Sequence, residues 1–146
     1  MTRILLTIAA LAIGVTAVGA QKLDVIAQRK ALMKQDGDRA KALAAMVRGD
    51  APFDAAKAKA AFAGFAEVAE KSLTLFPDDS KTGGDTTAHS RIWENKADFD
   101  ARLAKFGANA KAAEASVNDL ASLKEAVAIV SKDCSGCHEV YRASKG

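Results

Sequence analysis

Near the C-terminal end of this 146-residue chain stand Cys134, Ser135, Gly136, Cys137 and His138, a C-x-x-C-H run. Two thiols three positions apart, followed at once by an imidazole, have the spacing for covalent haem attachment. Each sulfur can add to one haem vinyl group while the histidine reaches the iron from one side. Other readings of a C-x-x-C pair are a short disulfide, a thioredoxin-like redox pair or half of a zinc site. Zinc as a rule takes four ligands, and beyond the motif the chain offers only His89 and carboxylates, with no second cysteine pair. A thioredoxin-like pair is expected beside a βαβ pattern, of which there is no sign. All of these leave His138 without a role.

The segment that must position the motif reads as helix. Leu123, Val127, Val130, Cys134, Cys137 and Tyr141 repeat at steps of four and three, which is one helical face. At 100° per residue His138 lies about 40° from Cys134, and Cys137 about 60° to the other side. Both thiols and the imidazole therefore share a stripe that would otherwise be plain core.

The rest of the chain is also read as helical. It has only two prolines and few aromatics, alanine and lysine are abundant, and strand-type alternation is hard to find. The first helix is expected from about Leu23 to Arg48, weakened and open to a bend at Asp36-Gly37-Asp38, and stopped by Gly49 with Pro52 beyond. Asp54 is a fair N-cap for a second helix carrying Phe62, Phe65, Val68 or Ala69, Leu73 and Phe76 inward and ending at Pro77. A long loop, residues 77–90, follows. A third helix is expected from Ile92 and Trp93 through Phe99, Leu103, Phe106, Ala110 and Ala113 to Val117, and a fourth from about Asp119 to Ala143. Four helices of similar length with apolar seams predict an all-α fold, an antiparallel four-helix bundle enclosing the covalently bound haem.

Residues 1–20 read as a secretory signal: Arg3, an apolar run from Ile4 to Val18, then the small residues Gly19 and Ala20. Cleavage there leaves one domain, residues 21–146. Export to an oxidising compartment, the bacterial periplasm, agrees with covalent haem and with two cysteines that both belong to the motif. The formal net charge is +3, one less once Arg3 is removed. Two haem propionates would bring it close to zero, which argues against nucleic acid or a membrane surface as the main partner.

His138 is expected to take one axial position on the iron. The other could hold a methionine, His89, a lysine, an exogenous molecule or nothing, and that choice separates an electron carrier from a gas binder. Met33 and Met46 lie about 140° apart round the first helix, so both cannot face one iron. Spacing does not choose between them, and by pattern alone either fills a core gap.

A resemblance narrows this. Arg29 followed four residues later by Met33, the turn Ala51-Pro52-Phe53-Asp54, Gly83-Gly84-Asp85, Ile92-Trp93, and the ending from Cys134 through Arg142, with the motif close to the C-terminus, make the chain similar to the class II cytochromes c. That family includes cytochrome c′ and its low-spin, methionine-ligated relatives. The resemblance implies a four-helix bundle with one haem c on the last helix, held by Cys134 and Cys137 with His138 as proximal ligand. It places the first helix across the distal face with Met33 over the iron, Arg29 beside a haem propionate and Asp85 near the haem edge. Leu75-Phe76-Pro77-Asp78 running into a polar glycine loop looks more like the low-spin branch. The implied function is a non-enzymatic periplasmic electron carrier meeting redox proteins transiently, as monomer or homodimer. The alternative is a five-coordinate cytochrome c′ that binds nitric oxide or carbon monoxide.

Overall fold

The computed structural model describes residues 13–144, which form four long α-helices, one short α-helix and a 3-10 turn at Asp78–Ser80. They are α1 (Ile13–Arg48), α2 (Ala55–Ser72), α3 (Arg91–Glu94), α4 (Lys96–Ser116) and α5 (Leu120–Tyr141). Among the described residues there is no strand, only an isolated bridge between Ala88 and Arg142. Residues 1–12 of the stretch read as an export signal lie outside the described residues. The backbone of residues 13–20 is helical and continuous with α1, so the first helix begins earlier than its apolar periodicity alone indicates. No helix among the described residues is long and apolar enough to cross a membrane.

Helix ends follow local chemistry. α1 runs unbroken through Gly37, braced by ion pairs from Lys34 to Asp38 (2.7 Å) and Arg39 to Asp36 (3.1 Å). It stops where Gly49 turns left-handed at φ 82°. The Asp54 carboxylate caps α2 by accepting from the Lys57 amide at 3.0 Å. Asp119 and Ser122 close a reciprocal capping box at the start of α5.

Two expected boundaries move. α2 ends at Ser72, because the amides of Leu73, Thr74 and Leu75 bond three residues back in tight turns. Leu73 is therefore exposed, and Phe76 leaves the helix to pack elsewhere. The third helix is split at Asn95, whose φ of −128° and ψ of 50° separate α3 from α4.

The four long helices bury two apolar clusters. The larger joins Leu43 and Met46 of α1, Phe62, Phe65 and Ala69 of α2, Phe106 and Ala110 of α4, and Leu123, Ala126 and Val130 of α5. Gly107 lets α4 approach α2 closely: a Cβ there would lie 3.1 Å from that of Ala69. The smaller cluster, Ile92, Phe99, Leu103 and Tyr141 with Phe76, Trp93 and Cys137 against it, sits towards the end of the bundle where α5 finishes.

Candidate functional site

The motif lies in the last two turns of α5, and its two thiols sit at the seam between the apolar clusters. Cys134 packs against the larger and Cys137 against the smaller. Both are free and half-buried. Burial pushes the Cys134 thiol up to about 11, helped by the charges of Asp36 and Asp133, and burial raises Cys137 despite the opposing Arg102 charge. At neutral pH both are protonated, unlike the activated thiolate of a C-x-x-C redox pair. His138 reaches the surface, yet loss of solvent and then Arg142 hold its imidazole below the ordinary value. It is thus neutral, the form that binds a metal. No three His, Cys, Asp or Glu side chains among the described residues cluster as a metal cage.

The motif backbone is held from α4. Arg102 donates through Nη1 to the Gly136 carbonyl (3.1 Å) and through Nε to Asp98 (2.7 Å), and its guanidinium lies 5.7 Å from the Tyr141 ring centre. Asp98 also accepts from the Tyr141 hydroxyl at 2.5 Å. These two donors hold the Asp98 carboxyl below its usual range, while burial and Asp98 push the Tyr141 phenol up to about 12. One turn earlier Asp133 accepts from Asn109 (2.6 Å) and lies 3.6 Å from Lys105.

Across the seam, Ile26, Arg29, Met33, Asp36 and Leu43 fall within about 100° round α1. Four of them are buried, at 1%, 4%, 9% and 2% exposure for Ile26, Arg29, Asp36 and Leu43, whereas Met33, inside that arc, is 41% exposed. Met33 is thus the large apolar side chain left uncovered on this stripe. Met46 is 6% exposed within the larger cluster, so the structure separates two methionines that spacing could not. An apolar cavity of about 310 Å³ runs along the same face, lined by Leu43, Phe62, Phe65, Val127, Val130 and Cys134 among others. Free paired thiols, a neutral imidazole, an uncovered methionine and apolar walls suit a covalently held haem.

Arg29 does more than the sequence indicated. It is buried and donates to the carbonyl of Leu75 (3.2 Å), the hydroxyl and carbonyl of Ser80 (2.9 and 2.8 Å) and the hydroxyl of Thr86 (2.8 Å). Its guanidinium also lies 4.9 Å from the Phe76 ring centre and 5.8 Å from that of Trp93. It clasps the long loop to α1 through both Nη groups. Trp93 anchors the same loop by donating to the carbonyls of Phe76 and Pro77. Asp85 is exposed at the rim of that loop with φ 52°, and beside it Gly84, at φ 56°, comes so near Ile26 that a Cβ would meet its side chain at 3.0 Å. His89 accepts the Arg91 amide on Nδ1, and its own amide donates to the Tyr141 carbonyl. That bond and the Ala143-to-Thr87 bond join the loop to the end of α5.

Sequence reasoning passed over Asp36, Arg102 and the loop oxygens that Arg29 holds. Asp36 was findable, because an acid on the Ile26, Met33 and Leu43 face falls where an apolar residue is expected. Arg102 carried no such mark.

The family model described as Cytochrome C′ matches residues 24–142. The chain is 46% identical over 139 residues to a cytochrome c′ of Rhodopseudomonas palustris, covering 95% of each chain. It is 40% identical over 121 residues to a cytochrome c-556 of Agrobacterium fabrum, covering 82% of each. Among solved structures, a cytochrome c′ from Rhodopseudomonas palustris superposes with TM-score 0.82 at 49% identity, over 84% of this chain and 98% of that one. A cytochrome c556 of the same organism superposes with TM-score 0.78 at 31% identity, over 84% and 98%.

Proposed function

We propose that this chain, which belongs to the cytochrome c′ family, carries single electrons through one haem c ligated by His138 and Met33. The observation that carries the reading is Met33: a large apolar side chain, 41% exposed, on the stripe of α1 that also carries the buried Ile26, Arg29, Asp36 and Leu43, on the helix whose Leu43 lines one cavity with Cys134. Bound haem supplies an iron that alternates between Fe(III) and Fe(II).

The chain's residues do the rest. Cys134 and Cys137 would anchor the group at the seam of the two apolar clusters, and His138 and Met33 would ligate its iron. Ligands that stay bound in both oxidation states keep reorganisation small, and a thioether favours ferrous iron relative to a second imidazole. Phe76, Phe99 and Tyr141, ring against ring with centroids 4.7 and 5.3 Å apart, exclude water from one side. Arg29 would stand beside a propionate, and Asp85 at the loop rim would lie near the haem edge. Redox partners would dock transiently at that edge, in the small interfaces usual for such encounters. Residues 1–20 would direct export to the periplasm, leaving residues 21–146 as the working domain, as monomer or homodimer.

Substitution Met33→Ala tests the assignment. Haem should stay attached while the ferric spectrum turns from low-spin to high-spin; an unchanged low-spin spectrum would exclude Met33. The 46% identity to a protein named cytochrome c′ favours one rival: Met33 only packing over a five-coordinate iron that takes up nitric oxide or carbon monoxide.

A further inference from the structure

We infer that Asp36 is a redox-linked proton site: its carboxylate takes up a proton when the haem iron is reduced and releases it on oxidation. The inference rests on the haem lying against Cys134 and not on Met33 being a ligand.

Asp36 is buried on the stripe of α1 whose Ala40 and Leu43 line one cavity with Cys134 of α5, and its charge helps to raise that thiol. Its one close cation is Arg39 (3.1 Å), whose guanidinium fills the notch at Gly64 on α2 so fully that a Cβ there would collide with it. The surrounding charges do not favour a second anion. From α2, Glu67 also draws on Arg39 but pairs with Lys71. From α5 come Cys134 and Asp133, the latter 3.6 Å from Lys105 of α4. On α1, Lys34 and Asp38 satisfy each other in solvent, and Lys41 stands at the cavity rim, 3.8 Å from Asp38. Burial outweighs Arg39 and pushes the carboxyl up to about 7, so it is poised to change protonation near neutrality.

Ferric haem carries one more positive charge than ferrous haem, so a nearby carboxylate is held more firmly as an anion in the oxidised state. Reduction removes that attraction. The electron comes from an external one-electron donor and the proton from solvent; an O–H bond forms on the carboxylate, and no bond to the cofactor breaks. Each tenfold change in proton affinity between oxidation states moves the midpoint potential by about 59 mV across the titration window.

The test is a potentiometric titration of the holoprotein from acid to alkaline pH. The unmodified protein should show a potential that falls with rising pH around neutrality and levels on either side. Asp36→Asn should remove that fall and keep the acid-side potential at alkaline pH, while Asp36→Glu retains a slope. Reduced-minus-oxidised infrared spectra of the unmodified protein should show a carboxylic-acid C=O band appearing on reduction, shifted in heavy water and absent in Asp36→Asn. An unchanged slope in Asp36→Asn, or no such band in the unmodified protein, overturns the inference. Optical spectra recorded in the same titration report axial ligation separately, so failure of the Met33 assignment is distinguishable from failure of the proton site.

Discussion

Replacing Arg29 by leucine separates a clasp from a surface cation. The guanidinium holds four oxygens of the loop after α2, and the Leu75 and Ser80 contacts are buried. A leucine fills much of the space but donates nothing. Each buried acceptor left unpaired costs on the order of 1 kcal/mol or more, so the Leu75 and Ser80 carbonyls amount to about 2 kcal/mol, while the Ser80 hydroxyl keeps its bond to the Pro77 carbonyl and the half-exposed Thr86 hydroxyl recovers water. For a domain of this size 1 kcal/mol shifts Tm by roughly 3–5 °C, so Tm should fall by roughly 6–10 °C. Thermal unfolding of the ferric holoprotein, followed by far-UV circular dichroism, measures the loss. Limited proteolysis should show new cutting within residues 77–90, since Arg29 makes the buried side-chain bonds from α1 to this loop, and Trp93 and the exposed Lys22 and Lys30 add to them. Arg29→Lys should recover little, because an ammonium cannot reach the same forked set of acceptors. A loss below about 0.5 kcal/mol with an intact loop would refute the clasp.

The double substitution Cys134→Ser with Cys137→Ser should abolish covalent haem; colour that stays with the protein through acid-acetone extraction would contradict the attachment site. Gly107→Val puts extra methyl groups where a Cβ already lies 3.1 Å from Ala69, and denaturant unfolding should show a loss of about 1–3 kcal/mol. The folded Asp36 carboxyl lies near 7 against an ordinary 3.8, so the folded chain holds more protons than the unfolded one between those values. Stability therefore falls as pH rises through that window and levels above it. Urea midpoints across the window should decline in the unmodified protein and decline less in Asp36→Asn.

Much of this was legible in the residues because it depends on local rules. The Asp54 cap, the Gly49 stop and the start of the last helix near Asp119 each follow from chemistry within a few positions, and the structure has them where they are read. What was not legible depends on neighbours distant in sequence. Leu73 and Phe76 continue the apolar period of α2, yet the helix ends at Ser72, because Phe76 gains more by packing on Phe99 and Trp93 than by extending a face. Asn95 divides a continuous four-three pattern, and the Trp93 indole just before the break donates to the Phe76 and Pro77 carbonyls some sixteen residues back. Arg29 shows the same effect in the site: the resemblance indicated its importance, but the acceptors that use it lie some fifty residues on. Met33 and Met46 are indistinguishable by period and become distinct only when burial is known.

The central claim is that Met33 and His138 both ligate the iron, and the most direct measurement is the absorption spectrum of the purified holoprotein, oxidised and then dithionite-reduced, with and without carbon monoxide. Sharp, split reduced bands, a weak sulfur-to-iron band in the oxidised form and slow or absent carbon monoxide binding are the predicted result. Broad high-spin bands that sharpen at once on adding carbon monoxide would contradict it and leave Met33 as a wall of a gas-binding pocket.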